Sequence, residues 1–312
     1  MRVGVFLSYK GLGANLLHLS YCHEIAKKHG PIFLVTICKN LKEALEDDPL
    51  IEEVIYIEKY HKKLSDIFKL SKIFKSFNFN YFYIFYPSIR FLLASKLAGI
   101  KNIYTYELFK KKNLHLVKAA KKFVEEKLNV SKCPTETKIF ISEKKKEIAK
   151  KNINTSKKNI IIGAGSSGIT TRWGEKNFIN LIKKLNEKKD CFFYLLCGPN
   201  ESEIAEKIIK ETGSEVIVSL SDKSIAEVVP IISVCDMYIG NDSFGHHVSS
   251  QSSIPSLIIM LDTPRAYTDY SKNQFRILPS GISIDDITHD SRISPKEISV
   301  DIVLEKALKL LN

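Results

Sequence analysis

Apolar and polar positions in the first half of the chain follow two alternating periods. Short runs of apolar, β-favouring residues predict strands, and the longer segments between them place apolar residues at helical spacing, as in Leu16–Ala26. The predicted strands are Val3–Leu7, Ile32–Ile37, Val54–Ile57, Tyr81–Tyr86 and Asn102–Thr105. Strands that alternate with helices in this way indicate a parallel, doubly wound sheet.

The same alternation begins again after Glu143–Lys158, a polar, lysine-rich segment that we interpret as the hinge between two domains. Strands are predicted at Asn159–Ile162, Cys191–Cys197, Val216–Val218, Val234–Ile239 and, as the last buried strand, Ser256–Leu261. An amphipathic helix over Pro295–Leu311 ends the chain. We therefore expect an α/β protein with two Rossmann-like domains, residues 1–155 and 156–312, that face an interdomain cleft.

Composition indicates a globular protein and limits the chemistry. Apolar residues make up 44% of the chain and charged residues 26%, and no apolar run approaches the roughly 20 residues that cross a bilayer. We therefore expect a cytoplasmic protein, in which Val3–Leu7 is a core strand and not part of a signal peptide. The six cysteines are scattered without C-x-x-C or metal-like spacing, which predicts reduced core residues, no metal and no cofactor.

The net charge of +12 is concentrated in the first half of the chain. Residues 1–155 hold 29 Lys and Arg against 15 Asp and Glu, whereas residues 156–312 hold 18 against 20. Such asymmetry is typical of a half that meets a polyanion or an anionic surface, although a lysine-rich genome would also raise the charge. The sequence has no helix-turn-helix signature or basic motif interleaved with aromatic residues, so we expect no nucleic-acid partner.

A glycine-rich loop, Gly163–Gly174, lies between a predicted strand and a predicted helix. Its hydroxyl side chains and backbone N–H groups suit phosphate oxygens, and Arg172 can add a bidentate contact. The loop matches neither the P-loop pattern nor the dinucleotide fingerprint, which argues against an NTPase or a dehydrogenase. A flexible surface loop is the alternative, and Trp173 is either a packing anchor or a ligand contact.

A second turn, Gly240–Val248, joins a buried strand to the start of a helix. Asn241, Asp242 and Ser243 are residue types that cap helices. Because a helix N-terminus offers unpaired donors and a partial positive charge, this turn suits a diphosphate, and Asp242 would then accept from hydroxyl groups. An ordinary capped helix is the alternative.

These two segments together resemble the ADP-heptose:lipopolysaccharide heptosyltransferase family (glycosyltransferase family 9, GT-B fold). Thr170–Phe178 resembles the family's K-x-W/R-W-P-x-x-x-F segment, and Gly240–Val248 resembles its G-N-D-S-G-P-M-H-L-A segment, with Pro255 at the expected distance. Gly11–Leu17 is similar to the family's G-L-G-D-N-L-L. The resemblance spans nearly the whole chain and is strongest over residues 160–265.

The resemblance implies an inverting, metal-independent glycosyltransferase whose nucleotide-sugar donor binds the C-terminal domain. Asp242 would hold sugar hydroxyls, and Arg172 would supply the cation that stabilises the leaving group. The implied contacts of the diphosphate are the backbone of Ser243, Phe244 and Gly245 together with Ser166, Ser167, Thr170 and Thr171.

The same resemblance places further groups around the donor. Glu203 or Glu201 would contact the ribose of the donor. Lys223 lies where the protein backbone usually contacts the nucleotide base. His247 matches the family's histidine, with packing against the helix start as the alternative. His246 has no counterpart, so we expect it to be peripheral.

Three positions depart from the family pattern. The aspartate expected as general base on the acceptor hydroxyl falls at Ala14, which cannot take a proton. The family's phosphate-binding lysine falls at Thr171, and its glycine after Asp-Ser is Phe244, with Gly245 one residue later. Since a missing base costs about 10²–10⁴ in rate, either another group serves, or the chain binds a donor or glycan with impaired or no transfer.

The basic first half would dock an anionic glycolipid acceptor at the inner leaflet of the inner membrane. Lys62 and Lys63 are one candidate group, and the segment Lys110–Lys127, with Lys111 and Lys112, is the other. A solvated lysine surface is the alternative. The predicted function is transfer of a sugar, heptose from ADP-heptose, to a lipopolysaccharide inner-core acceptor.

Overall fold

The fold was analysed in a computed structural model, which describes residues 1–57, 63–107, 115–166, 168–198 and 200–311. The chain divides into two compact units, Met1–Phe140 and Ile141–Asn312. Each unit is built around its own parallel sheet.

The first unit contains five parallel strands among its described residues. They are β1 (Val3–Leu7), β2 (Ile32–Thr36), β3 (Ile51–Tyr56), β4 (Tyr81–Ile84) and β5 (Asn102–Thr105). Their order in the sheet is β3-β2-β1-β4-β5. Every residue of β1 and β2 is buried, which explains why these central strands are continuous apolar runs and do not alternate with polar residues.

Helices join consecutive strands of this sheet, and one more helix follows β5. They are α1 (Leu12–Leu17), α2 (Leu19–His29), α3 (Leu41–Ala44), α4 (Asp66–Phe77), α5 (Ile89–Leu97) and α6 (Leu116–Leu128). From β1 the chain first builds the sheet toward β3 and then returns to add β4 on the other side of β1. The point where the order reverses, between β1 and β4, is where open α/β sheets bind ligands.

The second unit has six parallel strands in the order β11-β10-β9-β6-β7-β8, counted over its described residues. The strands are β6 (Lys158–Gly163), β7 (Cys191–Leu196), β8 (Ile217–Ser219), β9 (Met237–Asn241), β10 (Ser256–Ile259) and β11 (Gln274–Ile277). The helices are α7 (Glu143–Asn152), α8 (Glu175–Lys188), α9 (Ser202–Thr212), α10 (Ile225–Ser233), α11 (Phe244–Gln251) and α12 (Val300–Leu311). Here the order reverses between β6 and β9.

The last residues of β6 and of β9 approach each other closely at this reversal. Gly163 pairs with Gly240 in the strand register. A Cβ atom on Gly240 would lie 2.5 Å from the carbonyl oxygen of Gly163, so the strands can pair at this distance only because the position is glycine. The loops that follow the two strands therefore start side by side.

Most of the predicted architecture is confirmed, namely two α/β units with parallel, doubly wound sheets. All six cysteines are buried and free, as predicted. The interpretation of Glu143–Lys158 as a hinge differs from the structure, because Glu143–Asn152 forms α7, which packs on α10 in the second unit. Ser256–Leu261 was predicted as the last buried strand, and the structure adds a further strand, β11, whose residues other than Ile277 are half-buried. No helix within the described ranges is long and apolar enough to cross a membrane.

Candidate functional site

The two segments that the sequence analysis singled out lie at the reversal point of the second sheet. The glycine-rich loop leaves the end of β6, and the Asp242 turn leaves the end of β9, which is the neighbouring strand. Ligands of open α/β sheets bind at the carboxyl ends of strands at such a point. The topology thus brings together two segments that are about 75 residues apart in the sequence.

Asn241, the last residue of β9, ties the two segments to each other. Its side-chain Nδ2 donates to the carbonyl oxygen of Ala164 over 2.7 Å, and its Oδ1 accepts from the backbone N–H of Trp173 over 2.9 Å. The Trp173 side chain is fully buried, and its Nε1 donates to the carbonyl oxygen of Ile298 over 2.9 Å. Of the two roles considered for Trp173, the structure supports the packing anchor.

Glu201 holds the glycine-rich loop in place through hydrogen bonds with backbone N–H groups. Its Oε1 accepts from the backbone N–H of Ser166 over 3.0 Å, and its Oε2 accepts from the N–H of Gly198 over 2.6 Å. Arg172 Nη2 lies 2.7 Å from Glu201 Oε1, and Arg172 also donates from Nε and Nη2 to the carbonyl oxygen of Ser166, at 3.1 and 2.9 Å. The guanidinium is therefore held within the loop, and a direct phosphate contact from it stays a prediction.

Ser166 connects this loop to the turn after β9. Its Oγ donates to the carbonyl oxygen of Asp242 over 3.2 Å and lies 2.6 Å from Thr171 Oγ1. The Thr171 hydroxyl in turn donates to the carbonyl oxygen of Gly168 over 2.8 Å. Ser166 and Thr171 thus set the shape of the predicted phosphate loop, whereas Thr170 is exposed on the short 3₁₀ turn Ile169–Thr171.

The turn after β9 forms a capped helix start, as predicted. Ser243 is the N-cap of α11, and its Oγ accepts from the N–H of Gly245 over 3.4 Å. Tyr238 OH donates to the carbonyl oxygen of Asn241 over 2.6 Å and lies 3.0 Å from Ser243 Oγ. Because burial raises the pKa of Tyr238 above its ordinary value, this hydroxyl keeps its proton and continues to donate.

Gly245 explains why the glycine of this motif stands one residue later than in the family pattern. A Cβ atom at position 245 would lie 2.6 Å from Leu196 Cδ2 and 2.7 Å from Tyr238 Cε2. Phe244, in contrast, is half-buried at the first position of α11 and has room for its ring. The close packing of α11 on β7 and β9 therefore requires glycine at position 245.

Asp242 is held by a histidine that the sequence analysis expected to be peripheral. His246 is fully buried, and its Nε2 lies 2.6 Å from Asp242 Oδ1. That expectation is wrong because one turn of α11 separates the two positions, so residue 246 points back to the carboxylate at the helix start. The Asp242 side chain itself keeps 18% of its surface exposed, so it can accept further hydrogen bonds.

Gln274 determines which nitrogen of His246 carries the proton. Its Oε1 accepts from the backbone N–H groups of Tyr270 and Ser271, at 3.3 and 3.1 Å. The amide NH₂ therefore points to His246 Nδ1, at 3.4 Å, and that nitrogen is the acceptor. The proton of the neutral ring consequently resides on Nε2 and is donated to Asp242.

His247 lies on the other side of the same carboxylate. Its Nε2 is 3.8 Å from Asp242 Oδ1, and its Nδ1 is 2.5 Å from Tyr270 OH. The ligand-type atoms of Asp242, His246 and His247 lie within 4.8 Å of one another, close enough for one ion to reach. In the arrangement seen here, however, the His246 Nε2 proton occupies the position between ring and carboxylate.

The remaining residues predicted to contact the donor or the acceptor lie at exposed positions or outside the described residues. Glu203 is exposed in the first turn of α9, so of the two acidic candidates it is Glu201 that touches the loop. Lys223 is exposed, with Nζ 3.9 Å from Glu227 Oε1. Lys63 is exposed before α4. The predictions for Ser167, Lys62, Lys111 and Lys112 fall outside the described residues.

Ala14 lies in α1, directly after the first strand of the first unit. Its carbonyl oxygen accepts from Nδ1 of His18 over 2.7 Å, a residue that the sequence analysis did not single out. Nε2 of His18 is buried and has no hydrogen-bond partner among the described residues. Burial lowers the pKa of His18 to about 4, so the ring is neutral at pH 7 and Nε2 carries a lone pair.

The sequence matches a known enzyme family. The sequence model of glycosyltransferase family 9 (heptosyltransferase) matches residues 94–281, which is more than half of the chain and includes both loops described above. A protein of Haemophilus influenzae named as a candidate glycosyltransferase is 27% identical over 106 residues, which cover 34% of this chain and 31% of that protein. The match thus spans about a third of that relative.

Solved structures with the same fold cover nearly the whole chain. Escherichia coli ADP-heptose lps heptosyltransferase II is 17% identical with a TM-score of 0.76, over 100% of this chain and 98% of that chain. A glycosyl transferase family 9 protein of Veillonella parvula is 17% identical with a TM-score of 0.79, over 99% and 97%. Escherichia coli heptosyltransferase WaaC with ADP-2-deoxy-2-fluoro heptose is 15% identical with a TM-score of 0.71, over 98% and 100%. At such identity these structures establish the fold.

Proposed function

The chain belongs to glycosyltransferase family 9, the heptosyltransferases, and on that premise we propose that it transfers heptose from ADP-heptose to an inner-core lipopolysaccharide or a related anionic glycan. The reaction is inverting and needs no metal. The donor is a nucleotide sugar bound by the second unit, and the acceptor is presented at the inner leaflet of the inner membrane to a cytoplasmic enzyme. The relative WaaC, whose structure holds an ADP-heptose analogue, supports ADP-heptose as the donor.

The proposed donor site depends on one observation. Asp242 lies beside the start of α11, at the reversal point of the second sheet. The N–H groups of Ser243 and Phe244 begin the helix and offer donors and a partial positive charge to the diphosphate. Asp242 keeps part of its carboxylate exposed next to them and accepts from the sugar hydroxyls. One turn can therefore hold the phosphates and the sugar of the same ligand.

Transfer without a metal requires the protein to stabilise the charge that develops on the leaving diphosphate. The backbone N–H groups at the helix start are oriented before the ligand arrives, and Ser166 and Thr171, whose hydroxyl protons are donated to backbone carbonyl oxygens, hold the loop beside them in shape. Donors that are oriented in advance cost no reorganisation during the reaction. Arg172 adds a cation behind the loop, where its guanidinium already holds the Ser166 carbonyl oxygen.

A second candidate function is favoured by Ala14, which stands where the family resemblance expects the general base. The chain would then bind a donor or a glycan with impaired or no transfer. The basic group near Ala14 is His18. Its Nε2 has a lone pair and lacks a hydrogen-bond partner among the residues that the structure describes. It lies one helical turn beyond Ala14, to whose carbonyl oxygen its other nitrogen is bound.

The experiment that separates these functions measures donor binding and transfer on the same protein. Calorimetry with ADP-heptose, UDP-glucose, GDP-mannose and ADP alone identifies the donor, and a coupled assay of released ADP with a heptose-acceptor glycolipid measures transfer. We expect saturable binding of ADP-heptose and slow transfer. Binding without any transfer favours the second candidate function. Binding of none of the nucleotide sugars contradicts the transferase and leaves only a glycan as the ligand of the second candidate function.

A further inference from the structure

Three side chains of the first unit form a chain of hydrogen bonds outside the candidate donor site. His23, on α2, lies with Nε2 2.7 Å from Asp48 Oδ2 and with Nδ1 2.6 Å from Thr137 Oγ1. His23 and Asp48 are buried, whereas Thr137 is half-buried. A hydroxyl, an imidazole and a carboxylate joined in this order are the arrangement that activates a hydroxyl group as a nucleophile.

The carboxylate sets the direction of these hydrogen bonds. Asp48 accepts at Oδ1 from the backbone N–H of Leu50 over 3.0 Å, and its Oδ2 faces His23 Nε2. Because an ionised carboxylate can only accept, Nε2 donates its proton to Asp48. Nδ1 of the neutral ring is then the acceptor, and Thr137 donates its hydroxyl proton to it. The imidazole is therefore in the tautomer that can take the proton of Thr137.

The backbone just before Thr137 is fixed to the helix that carries His23. Ser20 lies three residues before His23 on α2, and its Oγ donates to the carbonyl oxygens of Pro134 and Glu136, at 2.8 and 3.1 Å. The hydroxyl of Thr137 is thus oriented toward its base before any substrate binds. Such orientation in advance removes part of the entropy cost of a reaction between the two groups and a substrate.

The three residues lie apart from the position at which the family resemblance places a catalytic base. Asp48 directly precedes β3 and so lies toward the amino ends of the strands, whereas Ala14 follows the carboxyl end of β1. Phe140 lies beside the imidazole, with its ring centroid 5.7 Å from that of His23, and it is 39% exposed. An exposed aromatic ring next to a half-buried hydroxyl group offers an apolar surface to an acyl or aryl group.

We propose that Thr137 is a nucleophile that takes an acyl group from activated esters, with His23 as its base and Asp48 as a positioning residue. In this step Thr137 Oγ1 forms a bond to the ester carbonyl carbon, and the bond from that carbon to the leaving oxygen breaks. The hydroxyl proton passes to His23 Nδ1 and from there to the leaving oxygen. Water then attacks the acyl-threonine by the same route and releases a carboxylic acid. Asp48 stabilises the imidazolium that exists between the two proton transfers.

The test is the reaction of the full chain with p-nitrophenyl acetate, followed by the release of p-nitrophenol and by mass spectrometry of the peptides. We expect acetylation of Thr137 that alkaline hydroxylamine removes, because hydroxylamine cleaves an ester and leaves an acetylated lysine intact. Thr137→Val has a similar shape without the hydroxyl group, so it should lose this modification and slow the release about 10²-fold or more. Thr137→Ser keeps the hydroxyl group and should retain both.

Asp48→Asn tests the positioning role while the nucleophile stays in place. The side-chain oxygen of this variant keeps the hydrogen bond from the N–H of Leu50, so the amide NH₂ faces Nε2 and moves the ring proton to Nδ1. His23 then cannot take the proton of Thr137, and acetylation should slow about 10²–10⁴-fold. A role in packing alone would change the free energy of unfolding of this variant and leave the acetylation rate of the folded protein unchanged.

Thr155→Val is the matched control, because it removes an exposed threonine hydroxyl from the second unit and should react like the unmodified protein. Thermal unfolding of each variant verifies that folded protein is assayed. Acetylation of lysines without Thr137, or equal rates for the unmodified protein and either Thr137→Val or Asp48→Asn, overturns the inference. If Asp48→Asn does not fold, the comparison of the valine and serine variants at position 137 still decides whether that hydroxyl group is the nucleophile.

Discussion

Arg172 and Glu201 form an ion pair at the base of the glycine-rich loop, with Nη2 2.7 Å from Oε1. The pair joins two parts of the second unit, since the carboxylate accepts from the N–H groups of Ser166 and Gly198 and the guanidinium donates to the Ser166 carbonyl oxygen. The sequence analysis predicted that Arg172 contacts a phosphate group. The structure instead shows a cation whose position is fixed by an acid that is 29 residues away in the sequence.

Glu201→Ala should lower the free energy of unfolding by about 2–3 kcal/mol, because it leaves two backbone N–H groups and the guanidinium without their acceptor. This value lies below the range of about 3–5 kcal/mol for breaking a fully buried pair, because 27% of the Arg172 side chain is exposed. Glu201→Gln, which keeps one acceptor oxygen, should lose less. Urea unfolding of the three proteins measures this. A Glu201→Ala variant as stable as the unmodified protein would show that the pair does not organise the loop.

His246 should position Asp242 through its Nε2 proton. His246→Leu removes the donor and should lower kcat/KM for transfer about 10–100-fold, as expected for the loss of a hydrogen bond to a carboxylate. His246→Gln can donate from its amide and should keep activity within about tenfold of the unmodified enzyme.

Nitrogen NMR of the imidazole rings supplies a readout that a packing role would not change. The ring of His246 should show the Nε2–H tautomer, and Gln274→Leu, which removes the partner of Nδ1, should weaken that preference. An Nδ1–H tautomer in the unmodified protein, or equal kcat/KM for the leucine and glutamine variants, would contradict the assignment.

The sequence was sufficient to predict the parallel sheets and the two loops that follow β6 and β9, because continuous apolar strands and glycine turns are local signals. It was not sufficient for β11, whose Gln274 and Arg276 break the apolar run of the strand. Gln274 then matters in the site, through a contact with His246 that is 28 residues away. His246 has no counterpart in the family segment that contains it, and Gln274 lies outside that segment. Their contact depends on how β11 pairs with β10. The choice between Glu201 and Glu203 likewise depended on tertiary contacts.

Ala14→Asp should raise the rate of transfer by restoring a carboxylate at the place of the expected base. A positioned general base raises the rate about 10²–10⁴-fold, so the increase in the transfer rate should not exceed this range. Ala14→Asn has the same size without a basic group and serves as the control. An initial-rate assay with saturating donor measures the effect, and equal rates for the aspartate and asparagine variants would remove Ala14 from the account of catalysis.

His18 should make the protein less stable in mild acid. Its pKa is lowered from 6.5 to about 4 by burial, so between these values the unfolded chain binds a proton that the folded chain does not. Stability is therefore lost as the pH falls from about 6.5 toward 4, by about 3 kcal/mol from this group. His18→Asn keeps the hydrogen bond to Ala14 without a titrating ring. Urea unfolding at pH 7 and pH 4.5 should show a smaller acid loss for the variant, and equal losses would refute the assignment.

The central claim is that one turn holds the diphosphate at a helix start and the sugar at Asp242. Asp242→Asn tests both parts when the dissociation constants of ADP-heptose and of ADP are measured by calorimetry. We predict about tenfold or weaker binding of ADP-heptose, because a charged acceptor for sugar hydroxyls is lost, while ADP binds as tightly as before or more tightly. Equal weakening of both ligands, or no change for ADP-heptose, would contradict the claim.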